Sequence, residues 1–301
     1  MDDVKRLKEL ELDVMAKHIV DGKKTGRVDA DRCEDTWKEL YKKLYPKSAF
    51  WKMANFESGI KAGYICYKGC EISGDTMFVF KKVDPSRKTQ KNKQKYEYFE
   101  DLIERDYKEE KDLKRRYLNM LEECCQMTYS LHNFSLMPRD GGMNIFRGSR
   151  VQMREENKGQ YLDRIDRFLY WLNDYYDKKG KTGLIEEKFE HVIFLGITTG
   201  GGKGSSKVTP EEREARRISN KKRLILFLNQ FGEGKEAVYK YCSEMYLIDC
   251  KEEENRKLVE DLIENGSKPI ENGEDVIRYM NLAKRYWKIK DELLKQANST
   301  E

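Results

Sequence analysis

The residue types best suited to chemistry fall between Ser130 and Tyr176. "SLHNFSLMPRDGGMNIFRG" carries one of only three histidines, His132, beside Asn133, and then sets Asn144, Arg147 and Gly148 in a turn-prone context. Histidine is one of the few residue types suited to proton transfer near neutral pH, so His132 could serve as a general base. Arg147 could fork onto a phosphate or carboxylate, and Gly148 would let a ligand approach the backbone. Downstream, "LDRIDRFLYWLNDYY" offers Asp163, Arg164, Asp166 and Arg167. Asp163 and Asp166 lie one helical turn apart, a spacing that can hold one Mg²⁺ or orient an arginine. The competing reading is an Asp–Arg ladder that fastens the preceding loop to the helix.

Basic residues form a second candidate. After "TPEE" at Thr209, Arg213, Arg216, Arg217 and Lys221 recur with helical spacing, and Lys222 and Arg223 extend the run. Such a stripe can track a phosphate backbone, although Glu211, Glu212 and Glu214 dilute it. The linker "DPSRKTQKNKQK" is a further basic stretch. "TTGGGKGSSK" is not a phosphate loop, because Lys203 is followed by Gly204 and the next helix starts too late, at Thr209. No metal site is expected: the cysteines show no C-x2-C pair and the histidines are scattered.

These residues need elements to position them. A length of 301 residues suffices for one large domain or two smaller ones. Charged residues make up 38% and aromatics 11%, which argues for a charge-rich folded protein rather than a disordered one. Amphipathic helices are predicted over about 1–20 and 31–44. "AGYICYKG" and "DTMFVFKKV" read as a hairpin or meander. One long charged helix is predicted from Tyr96 to about Met127, then a strand over Ser130 to Met137. On the helix Leu162 to Tyr176, Ile165, Phe168, Leu169, Leu172, Tyr175 and Tyr176 share one face. Asp163, Asp166, Arg167, Tyr170 and Asp174 share the other, with Arg164 beside Trp171 on the flank.

From Thr209, whose cap, following proline and acids make a strong helix start, helices continue to the C-terminus. They break at Gly232–Gly234 and at Asn265–Gly273. The expected class is α+β and predominantly helical, a small antiparallel sheet with long helices and a C-terminal helical region. Its expected divisions are 1–195 (α+β), 196–208 (a flexible Gly/Ser loop) and 209–301 (helical, either separate or packed on the first).

"NFSLMP", then the Asn144…Arg147–Gly148 segment, then "LDRIDRFLYWLNDYY", together with "SGDTMFVF", resemble a set of bacterial proteins of unknown function. The likeness covers about Ser73 to Tyr176 and departs in the spacer between Gly148 and Asp163. It implies a site at Asn144, Arg147, Gly148, Asp163, Arg164 and Asp166, and it brings no activity with it.

The apolar runs are far shorter than the roughly 20 residues a membrane helix needs, and the N-terminus has no apolar signal core. Seven irregularly spaced cysteines suit free thiols in a reducing compartment. The expectation is a cytoplasmic protein that binds a phosphate-bearing ligand, nucleic acid or nucleotide. Mg²⁺-assisted phosphodiester or nucleotide chemistry is the reaction that Asp163 and Asp166 would suit. The alternative is a non-catalytic structural or protein-interaction module; a protein partner or homo-oligomer stays open under either.

Overall fold

A computed structural model describes residues 65–67, 70–80, 99–127, 130–139, 164–178 and 209–299. The described chain is predominantly helical. The two N-terminal helices predicted over 1–44 and the Gly/Ser loop at 196–208 lie outside the described residues.

Strands β1 (Ile65–Tyr67), β2 (Cys70–Thr76) and β3 (Phe134–Arg139) are antiparallel neighbours in that order, with Ile65 opposite Ile72 and Gly74 opposite Leu136. Strand pairing stops at Thr76. The next four residues, Met77 to Phe80, leave the ladder and bury their side chains instead.

Helices α1 (Phe99–Asp106) and α2 (Lys111–Met127) replace the single helix predicted from Tyr96 to Met127. The break has a local cause. From Lys108 to Asp112 every residue is charged and exposed, so that turn has no apolar side chain to bury. It also has a tertiary cause, since the Tyr107 ring turns back onto Tyr117 at 4.8 Å between centroids.

A short 3₁₀ turn at Leu131–Asn133 precedes β3, so His132 and Asn133 do not sit in the strand predicted for Ser130 to Met137. Helix α3 (Ile165–Asp177) starts later than predicted because Arg164 is extended and bridges to Phe78. Its six predicted apolar positions are all buried, and so is Trp171.

Helix α4 (Pro210–Leu228) opens with a capping box: Glu212 N–H donates to Thr209 Oγ1 at 3.2 Å, and Thr209 N–H donates to the Glu212 carboxylate at 3.0 Å. A 3₁₀ turn (Asn229–Phe231) leads to Gly232 and Gly234, both at positive φ, where the helix break was predicted. Helices α5 (Gly234–Tyr246), α6 (Glu253–Gly266) and α7 (Gly273–Ser299) complete the described chain.

The stop between α5 and α6 carries no glycine or proline. Leu247 takes the left-handed conformation at φ 59°, which lets Ile248 and Cys250 bury. Ser243 ties that turn, its hydroxyl donating to Ile248 O at 2.9 Å and accepting from Cys250 N–H at 3.2 Å.

One buried cluster runs from Met77, Phe78 and Phe80 through Phe168 and Tyr241 to Tyr279 and Trp287. The C-terminal helices therefore share a core with the residues before them. Cys124, Cys125, Cys242 and Cys250 are free thiols. No described helix is long and apolar enough to cross a membrane.

Candidate functional site

The Asp–Arg segment is enclosed. Arg164 has 2% of its side chain exposed and Asp166 none. Arg164 Nε donates to Asp166 Oδ1 at 3.0 Å, and Arg164 Nη2 donates to Asp166 Oδ2. Asn265 Nδ2 donates to the same Oδ2 at 2.8 Å. The remaining guanidinium donors reach Asn265 O at 3.1 Å and Lys268 O at 3.0 Å. Arg167 adds a bond to Gly266 O at 2.8 Å.

Together, these arginines satisfy carbonyls at the C-terminal end of α6, where backbone acceptors and the negative end of the helix dipole call for cations. Burial alone would lower the Arg164 pKa; the Asp166 carboxylate beside it more than reverses this, so the guanidinium is held even more firmly protonated.

Backbone packing explains the location. A side chain at Gly266 would overlap the Asp166 carbonyl and come 2.8 Å from Arg167 N. Helices α3 and α6 thus approach closely enough for α6 to lay its last carbonyls over the start of α3. This corrects the predicted solvent face: Asp166 points inward. Its carboxylate is fully buried and accepts three hydrogen bonds, one on Oδ1 and two on Oδ2. Arg164 and Arg167 likewise direct these donors to backbone carbonyls.

His132 meets α7 instead of α3. Its Nε2 lies 3.5 Å from Asp291 Oδ1, with 19% of the histidine side chain exposed. Lys295 first, and His132 in addition, hold the Asp291 carboxyl below its ordinary range. Asn133 is the inward member of the pair. Its Oδ1 accepts from Phe78 N–H at 3.0 Å and from Trp287 Nε1 at 2.9 Å, and its Nδ2 donates to Phe78 O at 2.6 Å. The amide therefore acts as one extra rung of a β-ladder on Phe78, at the point where the backbone ladder has ended. Two residues on, Ser135 and Tyr286 share a buried hydroxyl–hydroxyl bond of 2.7 Å.

Lys290 is the buried charge that sequence reasoning missed. It is 2% exposed, and its ammonium lies 5.6 Å from the Tyr286 ring centre. Burial pulls its pKa down from 10.5 to about 7. Its signal was absent from the sequence, where "RYWKIKDELLK" offers four cations on one helix and nothing singles out the third.

Arg213, Arg216, Arg217 and Lys221 lie along α4. The described side chains from Thr209 to Ile218 are all exposed, and burial on this helix is confined, among the described residues, to Phe227 and Leu228. Asn144, Arg147, Gly148 and Asp163 lie outside the described residues. Among the described residues no group of histidine, cysteine, aspartate and glutamate could hold a metal ion. No protein-family model, curated protein or solved structure matches the chain.

Proposed function

We propose that this chain binds the phosphate backbone of a nucleic acid through helix α4. The observation that carries the reading is exposure at the start of α4: Pro210, Glu211, Glu212, Glu214, Ala215 and Ile218 all face solvent. The sequence sets Arg213, Arg216, Arg217, Lys221, Lys222 and Arg223 along that helix. Each phosphate neutralised releases counterions, and a row of cations on one rigid rod follows a backbone without reading bases. Asn144, Arg147 and Gly148 are a second phosphate contact in this reading. The chain is then a cytoplasmic α+β protein whose small sheet braces the helices.

The reading gives Asp166, Arg164 and Arg167 a structural part. Their mutual bonding and burial favour a non-catalytic binder over a Mg²⁺-dependent enzyme at that position.

The test is binding of a labelled short DNA duplex and of an RNA strand across a salt series. The wild type is compared with an Arg216→Gln/Arg217→Gln/Lys221→Gln variant. Binding that weakens linearly in log salt, with a slope reduced by about 0.9 for each duplex phosphate contact removed, is the expected result. No binding at low salt, or binding indifferent to the three substitutions, overturns it.

A further inference from the structure

Helices α6 and α7 run antiparallel, joined through residues 267–272. Arg285 Nη1 donates across them to Asp261 Oδ2 at 2.6 Å. Beyond that rung, toward the start of α6, the two helices flank a cleft of about 560 Å³. That size is in the range of small-molecule sites, which occur between packed helices. The floor of the cleft is apolar, with Leu258 buried and Ile289 half-buried.

The charged lining is balanced and has two poles. Glu253, Glu254 and Glu292 stand at the end nearest the start of α6, and Lys257, Lys288 and Arg285 toward the other. With Asp261 opposite Arg285, position 254 lies opposite 292. At 1.5 Å per residue, positions 254 and 292 are then about 10 Å along the axes from Arg285, and about 5 Å from Lys257 and Lys288. Both poles have unused capacity. Lys257 and Arg285 share the single carboxylate of Asp261, so one positive charge is left over, and Arg285 uses only Nη1 there. Lys288 lies 4.0 Å from Glu292. Among the described residues, no ion pair or hydrogen bond engages the side chains of Glu253 and Glu254.

An inorganic anion in this cleft meets three carboxylates, and a polyamine meets three cations. A ligand with one charge of each sign, held apart, meets neither difficulty. We infer that the cleft binds a short zwitterionic peptide. Its ammonium lies among Glu253, Glu254 and Glu292, and its carboxylate on the Nε and Nη2 donors that Arg285 leaves unused. An apolar side chain covers Leu258 and Ile289. An extended chain spans at most about 3.3–3.6 Å per residue, so three residues cover the distance between the poles. The guanidinium fork matches a carboxylate and bonds it more strongly than a neutral amide. Phosphate binding by α4 plays no part in this inference.

The experiment is isothermal titration calorimetry of the full chain with the tripeptide alanyl-leucyl-alanine, at about 50 mM salt to limit screening. Saturable binding with a Kd of about 0.1 mM is expected. Acetylating the peptide amine, or amidating its carboxylate, is expected to weaken binding at least about tenfold. Glu253→Gln/Glu254→Gln is expected to erase the discrimination against the acetylated peptide and to keep that against the amide. Arg285→Gln is expected to do the reverse. These three positions are exposed, so helical circular dichroism is expected to stay unchanged. No saturable binding up to about 5 mM overturns the inference. So do blocked peptides that bind as tightly as the free one, or discrimination that survives in both variants. Tighter binding of inorganic phosphate or of spermine than of the tripeptide overturns it as well.

Discussion

Arg164 and Asp166 form a two-pronged ion pair with almost no exposed surface, and Asn265, from a helix about a hundred positions away in sequence, closes it. A buried pair of this kind holds geometry more than it adds stability, because each ion has lost its water. Its effect here is to fasten the end of α6 over the start of α3.

Arg164→Ala leaves the Asp166 carboxylate buried with only Asn265 and strips the carbonyls of Asn265 and Lys268 of a donor. The expected loss is about 3–5 kcal/mol in urea unfolding. The double replacement Arg164→Met/Asp166→Leu is expected to cost less than either single change, since no lone charge stays buried. If Arg164→Ala unfolds at the same urea concentration as wild type, the fastening role is wrong.

Asn133→Leu keeps the volume and removes every bond to Phe78 and Trp287. Three buried partner groups then go unsatisfied, with an expected cost of about 3 kcal/mol or more. Trp287 sits in that bond, so native tryptophan emission is the companion readout, and it is expected to shift. His132→Ala, whose partner Asp291 is 39% exposed, is expected to cost under about 1 kcal/mol.

Lys290 makes stability depend on alkaline pH. Its folded pKa of about 7 lies below the ordinary 10.5, so between those values the unfolded chain binds more protons than the folded one. Stability therefore rises with pH across that window, and below about 7 the burial penalty is fully present. Lys290→Met is expected to stabilise the protein most at and below pH 7 and to flatten the rise toward pH 10. Parallel pH profiles for wild type and variant would contradict the assignment.

Gly266→Ala places a methyl group inside the Asp166 carbonyl, which is backbone and cannot swing aside. Helices α3 and α6 must separate, at an expected cost of about 3 kcal/mol in thermal unfolding. Gly232 has nothing near it, but its φ of 101° disfavours a side chain; Gly232→Ala is expected to cost about 1 kcal/mol through strain alone.

Local rules were legible without a structure. The apolar spacing of Ile165, Phe168, Leu169, Leu172, Tyr175 and Tyr176 identified the buried face of α3, and Thr209 with Glu212 identified the start of α4. Both depend on neighbours three or four positions away, which the sequence displays directly. The same spacing put Asp166 on the water side, because periodicity ranks a carboxylate by its type and is blind to a partner such as Asn265. The break at Tyr107, the left-handed Leu247, the inward turn of Asn133 and the enclosure of Lys290 were equally invisible. Each is decided where distant segments meet: Tyr107 on Tyr117 and near Gly273, Asn133 on Phe78 and Trp287, Lys290 beside Tyr286. The sequence by itself determined the apolar face of α3, the start of α4 and where the cations run. The tertiary structure alone decided which charged and polar groups leave water, since that depends on whether another part of the chain arrives to satisfy them.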